Sequence, residues 1–113
     1  MRESVVICPV TDNDGRSLEA LRDLATMALA DRFGGCTVRE ARGCWVCPKG
    51  KLYSERVWEL VSAYEPSAAH NAALRRIALM IGIEGRQLAV YCKFASGTVE
   101  IIDTSHAQLA EAT

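Results

Sequence analysis

Cys36-Thr-Val-Arg-Glu-Ala-Arg-Gly-Cys-Trp-Val-Cys47, Pro48-Lys-Gly-Lys51 and Leu52-Tyr-Ser-Glu-Arg-Val-Trp-Glu-Leu-Val-Ser-Ala-Tyr64 decide the fold. Thr37, Val38, Trp45 and Val46 favour strand in the first run, and Val57 to Val61 centre the second. Between them lies a short turn of Pro, Gly and Lys. Two strand patterns joined by a short turn predict an antiparallel hairpin. Gly43 interrupts the first strand and predicts a bulge or a close backbone approach.

The flanks are helical. From Ser17 to Phe33, Leu18, Leu21, Leu24, Ala25, Ala28 and Leu29 recur at three- and four-residue spacing. Asp14 or Ser17 is placed to cap this helix, and Gly34-Gly35 ends it. Beyond the hairpin, Glu65-Pro66-Ser67 opens a second helix. Its expected buried stripe is Ala69, Ala73, Ile77, Met80 and Ile81, with Gly82 or Gly85 at its end. Ser4 to Val10 is a β-branched run, and Thr11-Asp-Asn-Asp-Gly15 turns it into the first helix. Leu88 to Phe94 alternates, with Leu88, Val90, Cys92 and Phe94 on one face. Ser96-Gly97 turns it into a last strand, Thr98 to Asp103.

The order β-α-β-β-α-β with an extra closing strand predicts an α+β, ferredoxin-like fold. It is an antiparallel sheet with both helices on one face. The expected domain is 1–103, with 104–113 a short tail. Strand one should lie between strands three and four, and the closing strand should extend the edge. The opposite face is then bare and displays some of Tyr53, Glu55, Trp58 and Tyr91. Such a face is usually covered by a second subunit or holds a ligand.

Composition narrows the function classes. The 113 residues carry 13 Lys+Arg against 14 Asp+Glu, for a net charge of −1. That near-neutral balance argues against broad nucleic-acid binding. The longest apolar run, Ile77 to Ile83, is far short of the roughly 20 residues of a membrane span. Five cysteines and no export signal point to a reduced, cytoplasmic protein.

The hairpin also carries a resemblance. Phe33-Gly34-Gly35-Cys36-Thr37-Val38, then Arg42-Gly43-Cys44-Trp45, then Gly50-Lys51-Leu52-Tyr53 with Glu55, follow an F-G-G-x-T, G-x-W, G-x-x-Y-x-E pattern. This is similar to a group of small bacterial and phage-associated ferredoxin-like proteins with no assigned activity. The resemblance implies the fold and carries no chemistry with it. Cys44 and Cys47 stand outside the pattern.

Cys44-Trp-Val-Cys47 has the spacing of a zinc-chelating or dithiol pair, but no second CxxC or HxxxH supplies the remaining ligands. It also ends a strand, whereas redox pairs usually open a helix. No metal and no cofactor are expected. There is no P-loop, GxGxxG or GxSxG, and Thr11 to Gly15 lacks the downstream Glu of a calcium loop. His70 is expected to point away from the helix stripe, and His106 lies in the tail.

Residues 39 to 56 hold five cations against two carboxylates, a net of +3 that leaves −4 for the rest of the chain. A basic segment among aromatics is the strongest binding signal here, so Arg42, Trp45, Tyr53 and Arg56 are the candidate binding residues. Three functions fit. The leading one is a non-enzymatic binding or regulatory module, homodimeric, taking a protein or a small anionic ligand through the sheet face or the hairpin. The second is a small enzyme with a pocket at a dimer interface, where Tyr53, Glu55 or Arg56 acts as acid, base or anion clamp. The third is a zinc- or redox-responsive protein using Cys44 and Cys47.

Overall fold

A computed structural model describes residues 1–105. Seven elements follow in the expected order. They are β1 (Arg2–Pro9), α1 (Glu19–Phe33), β2 (Thr37–Val46), β3 (Leu52–Tyr64), α2 (Ala68–Glu84), β4 (Ala89–Lys93) and β5 (Val99–Asp103). The five strands form one antiparallel sheet in the order β2-β3-β1-β4-β5. This is the ferredoxin-like α+β arrangement, with β1 between β3 and β4. His106 and the rest of the expected tail lie outside the described residues.

Alternation sorts each strand into two faces. Val6 and Cys8 of β1, Trp58 and Leu60 of β3, Val90 and Cys92 of β4 and Ile102 of β5 are buried. They pack with Ala25 and Leu29 of α1 and with Leu74, Ala78 and Ile81 of α2 in one core. The alternate residues, among them Val5, Ile7, Val57, Tyr91 and Ile101, form the face that no helix covers.

Several local expectations shift. β2 and β3 pair without interruption from Thr37↔Val61 to Val46↔Leu52, so Gly43 forms no bulge and sits opposite Glu55. Leu24 is 54% exposed. It lies about 100° around the helix from Ala25, outside the stripe that Leu21, Ala25 and Leu29 form. Helix α1 starts at Glu19 after Leu18, with no side-chain cap. Ser17 Oγ still accepts the Glu19 N–H at 3.2 Å. Asp12, not Asp14, organises the preceding turn, its Oδ1 accepting the N–H groups of Asp14 and Arg16 at 2.9 Å each.

In α2 the stripe rotates to Ala73, Leu74, Ala78, Ile81 and Gly82, leaving Ala69 exposed. Ser67 caps this helix by accepting the His70 N–H at 3.1 Å, so Pro66 precedes the cap. His70 turns inward instead of outward. Its ring meets Phe33 and Tyr64 edge-on at 5.8 and 5.3 Å, and its Nδ1 lies 2.7 Å from the Glu65 carbonyl oxygen. Leu88 is exposed and precedes β4.

The strand lengths position the site. β1 pairs with β3 only from Tyr64 to Val57, where Pro9 is the last partner. Beyond that, Arg42–Val46 and Leu52–Arg56 pair only with each other in the ladder and project as a two-stranded ribbon. At about 3.4 Å per residue, five pairs extend roughly 17 Å. Its tip closes with the Cys47 N–H on the Lys51 carbonyl at 3.0 Å, and Gly50 takes the left-handed φ of 81° that this turn requires.

Candidate functional site on the open sheet face

A concavity of about 1070 Å³ runs across the uncovered face. The ribbon forms one wall through Gly43, Trp45 and Glu55, and β4 and β5 form the other through Tyr91 and Ile101. Its floor is the central sheet: Ile7 and Pro9 of β1, Val57 and Glu59 of β3. The volume lies just above the usual range for small-molecule sites, about 300–1,000 Å³.

Gly43 shapes the wall. A Cβ there would stand 3.7 Å from a methyl of Val57 and 4.0 Å from Cγ of Glu55. A side chain would therefore fit without collision but fill the space in front of Glu55. Two residues along the same face, Tyr53 stacks on its cross-strand partner Trp45, with ring centroids 5.3 Å apart and planes inclined by 14°. Lys51 Nζ lies 5.1 Å from the Tyr53 ring centre. Trp45 remains 49% exposed, so one large aromatic surface is open beside the carboxylates.

Two carboxylates, Glu55 and Glu59, line this concavity. Burial pushes the Glu55 carboxyl above its ordinary value, although its side chain still reaches solvent. No opposing charge is among the causes of that shift. Glu59 is half-buried and lies between Ile7 and Arg39 in the ladder. Arg39 is 3.8 Å from Glu3, both exposed, a weak pair in water.

The four residues that the sequence singles out do not share one surface. Trp45 and Tyr53 are on the open face with Glu55. Arg42 and Arg56 are paired directly across the ribbon with their Cβ atoms on the opposite face, although Arg42 also borders the concavity. Trp58 belongs to the covered face, buried and lying 4.5 Å beneath the Arg22 guanidinium. Tyr91 is displayed, as expected.

Sequence reasoning missed Glu59, Ile7, Pro9 and Ile101 as members of the site, because they come from three separate strands, β3, β1 and β5. One signal was present: Glu59 is a charge inside the apolar run Val57-Trp-Glu-Leu-Val61. Cys44 is exposed on the ribbon, Cys47 is half-buried in its turn, and Cys8 and Cys92 are buried. Among the described residues, no group of three His, Cys, Asp or Glu side chains is placed to hold a metal ion. No helix among them is long and apolar enough to cross a membrane.

The fold places the chain in the ferredoxin-like α+β class, and two solved structures share it. A phage SAM lyase in its apo state superposes with a TM-score of 0.67 at 14% identity, over 89% of this chain and 87% of its own. A phage SAM lyase in complex with S-methyl-5′-thioadenosine superposes with a TM-score of 0.65 at 15% identity, over 89% and 88%. At these identities the likeness is one of fold. No family model and no curated protein matches the chain.

Proposed function

We propose that the open-face concavity binds S-adenosylmethionine and breaks its bond between sulfur and Cγ. The observation that carries this reading is Glu55, a partly desolvated carboxylate with no salt-bridge partner among the described residues, set beside the exposed Trp45–Tyr53 stack. A sulfonium has no N–H or O–H to donate. It is held by carboxylates and by the faces of aromatic rings, which attract cations electrostatically. A purine stacks on the same kind of ring. The likeness to a lyase solved with S-methyl-5′-thioadenosine supports the choice of ligand.

The chemistry closes without an added reagent. Breaking the S–Cγ bond sends its electron pair to sulfur, so the cation becomes the neutral thioether of S-methyl-5′-thioadenosine. The four-carbon fragment then balances its charge by closing on its own carboxylate or by giving a proton to a base. Glu55 is the base at hand, and a raised pKa makes a carboxylate a stronger one at neutral pH.

A second copy of the chain completes the site in this reading. Val99 and Ile101 of β5 and Trp45 of the ribbon are 49%, 62% and 49% exposed on the open face, apolar surface that a second copy would cover. A two-stranded ribbon is also marginal by itself and gains from being packed. Calorimetric titration tests the binding step. S-adenosylmethionine should bind at least about tenfold more tightly than the neutral thioether S-adenosylhomocysteine, and Glu55→Gln should remove that preference. Equal affinity for the two ligands would contradict the proposal. Tight binding with no product would favour the non-enzymatic module over the enzyme.

A further inference from the structure

We infer that the covered-side face of the ribbon is a separate anion site, in which Arg42, Arg56 and Ser54 bind a phosphomonoester dianion. The register places Arg42 directly opposite Arg56. Opposed side chains in an antiparallel ladder have Cβ atoms roughly 5 Å apart, and like charges so placed repel. Nothing in the ribbon offsets this. Glu40, the only carboxylate on that side of β2 and β3 by alternation, lies 3.8 Å from Arg56 with both side chains largely exposed. A pair of that length in water contributes little. The same face thus keeps an excess of positive charge where the chain as a whole is slightly negative.

The donors are also oriented. Arg42 Nη1 donates to Ser54 Oγ at 2.9 Å, which ties the guanidinium to the ribbon, and among the described residues its other N–H groups make no further hydrogen bond or ion pair. The Ser54 hydroxyl, accepting from Arg42, has its own proton free to donate. Two planar forks and one hydroxyl match the three terminal oxygens of a phosphomonoester, and guanidinium is suited to that bidentate geometry. A phosphodiester offers only two such oxygens and a single negative charge. The arrangement therefore selects the monoester. Arg42 and Arg56 lie on the opposite side of the ribbon from Glu55, so this site does not rest on the sulfonium reading.

Binding of methyl phosphate and of dimethyl phosphate to the purified protein at low ionic strength separates the two classes. Methyl phosphate should bind at least about tenfold more tightly than dimethyl phosphate, weaken as sodium chloride is added, and bind Glu55→Gln unchanged. Arg42→Gln with Arg56→Gln should lose at least about tenfold in affinity while unfolding at the same temperature or higher, because a repulsion is relieved. Arg42→Lys with Arg56→Lys keeps the charge but not the fork, and should retain only part of the affinity. If the glutamine variant does not fold, the lysine variant decides. Equal affinity for the diester, or full affinity in the lysine variant, would overturn the assignment.

Discussion

Glu55 shows what a single side chain costs and does. Its folded-state pKa is raised by burial, so an ionised Glu55 at neutral pH is a small burden on the fold. A group shifted upward favours folding only below its unfolded pKa, and that contribution is lost as pH rises. Glu55→Gln should therefore leave the unfolding temperature at pH 7 unchanged or slightly higher while removing the preference for S-adenosylmethionine over S-adenosylhomocysteine. A clear loss of stability would mean that Glu55 is structural. The two tryptophans behave oppositely. Trp58 is 6% exposed in the core, and Trp58→Ala should cost about 3–5 kcal/mol in denaturant unfolding. Trp45→Ala, on the open face, should cost about 0.5 kcal/mol and weaken the ligand instead. Gly82 is a third case, since a Cβ there would collide with the Thr104 side chain that packs against α2. Helix propensity favours alanine by about 1 kcal/mol, so a net loss of about 1–3 kcal/mol in Gly82→Ala would report the collision.

Whole elements were read more reliably than their edges. The hairpin, both helices, the strand order and the bare face follow from periodicities of 2 and 3.6 that long segments repeat many times. The rotation of α2 did not follow, because alanine is weakly hydrophobic and Ala69, Ala73 and Ala78 mark no face strongly. Gly43 looked like a bulge because nothing local tells a glycine needed for backbone shape from one that leaves room. The candidate site was legible only in part. Trp45 and Tyr53 announced themselves through charge and aromatics on one hairpin, whereas Ile7, Glu59 and Ile101 join them only through the sheet. The cysteines divide by element as well. Cys8 and Cys92 lie on the central strands under the helices, and Cys44 lies on the ribbon. A thiol-specific disulfide reagent should modify Cys44 in the folded protein and reach Cys8 and Cys92 only on unfolding. Rapid modification of Cys8 or Cys92 would contradict the buried placement.

At the scale of the whole molecule, the same two thiols couple folding to alkaline pH. Burial raises Cys8 to about 11 and Cys92 to about 12, against an ordinary 9.0. The folded state holds these protons more tightly than the unfolded one. Their contribution is therefore complete below pH 9.0 and is lost as the pH rises through about 11 to 12. The unfolding temperature should fall across that interval, and Cys8→Ala should flatten the fall. An unchanged slope would assign the decline to other groups. The helices cover one face of the sheet; we propose that a second copy covers the other, and sedimentation at micromolar protein should then show an oligomer. A monomer there would leave the concavity open to solvent and weaken the enzymatic reading. The most direct test is chromatography of S-adenosylmethionine incubated with purified protein. S-methyl-5′-thioadenosine should accumulate with time and enzyme concentration, and the Glu55→Gln protein should release at least about a hundredfold less, the scale of a lost general base. Intact S-adenosylmethionine after prolonged incubation with the folded wild-type protein would contradict the proposed function.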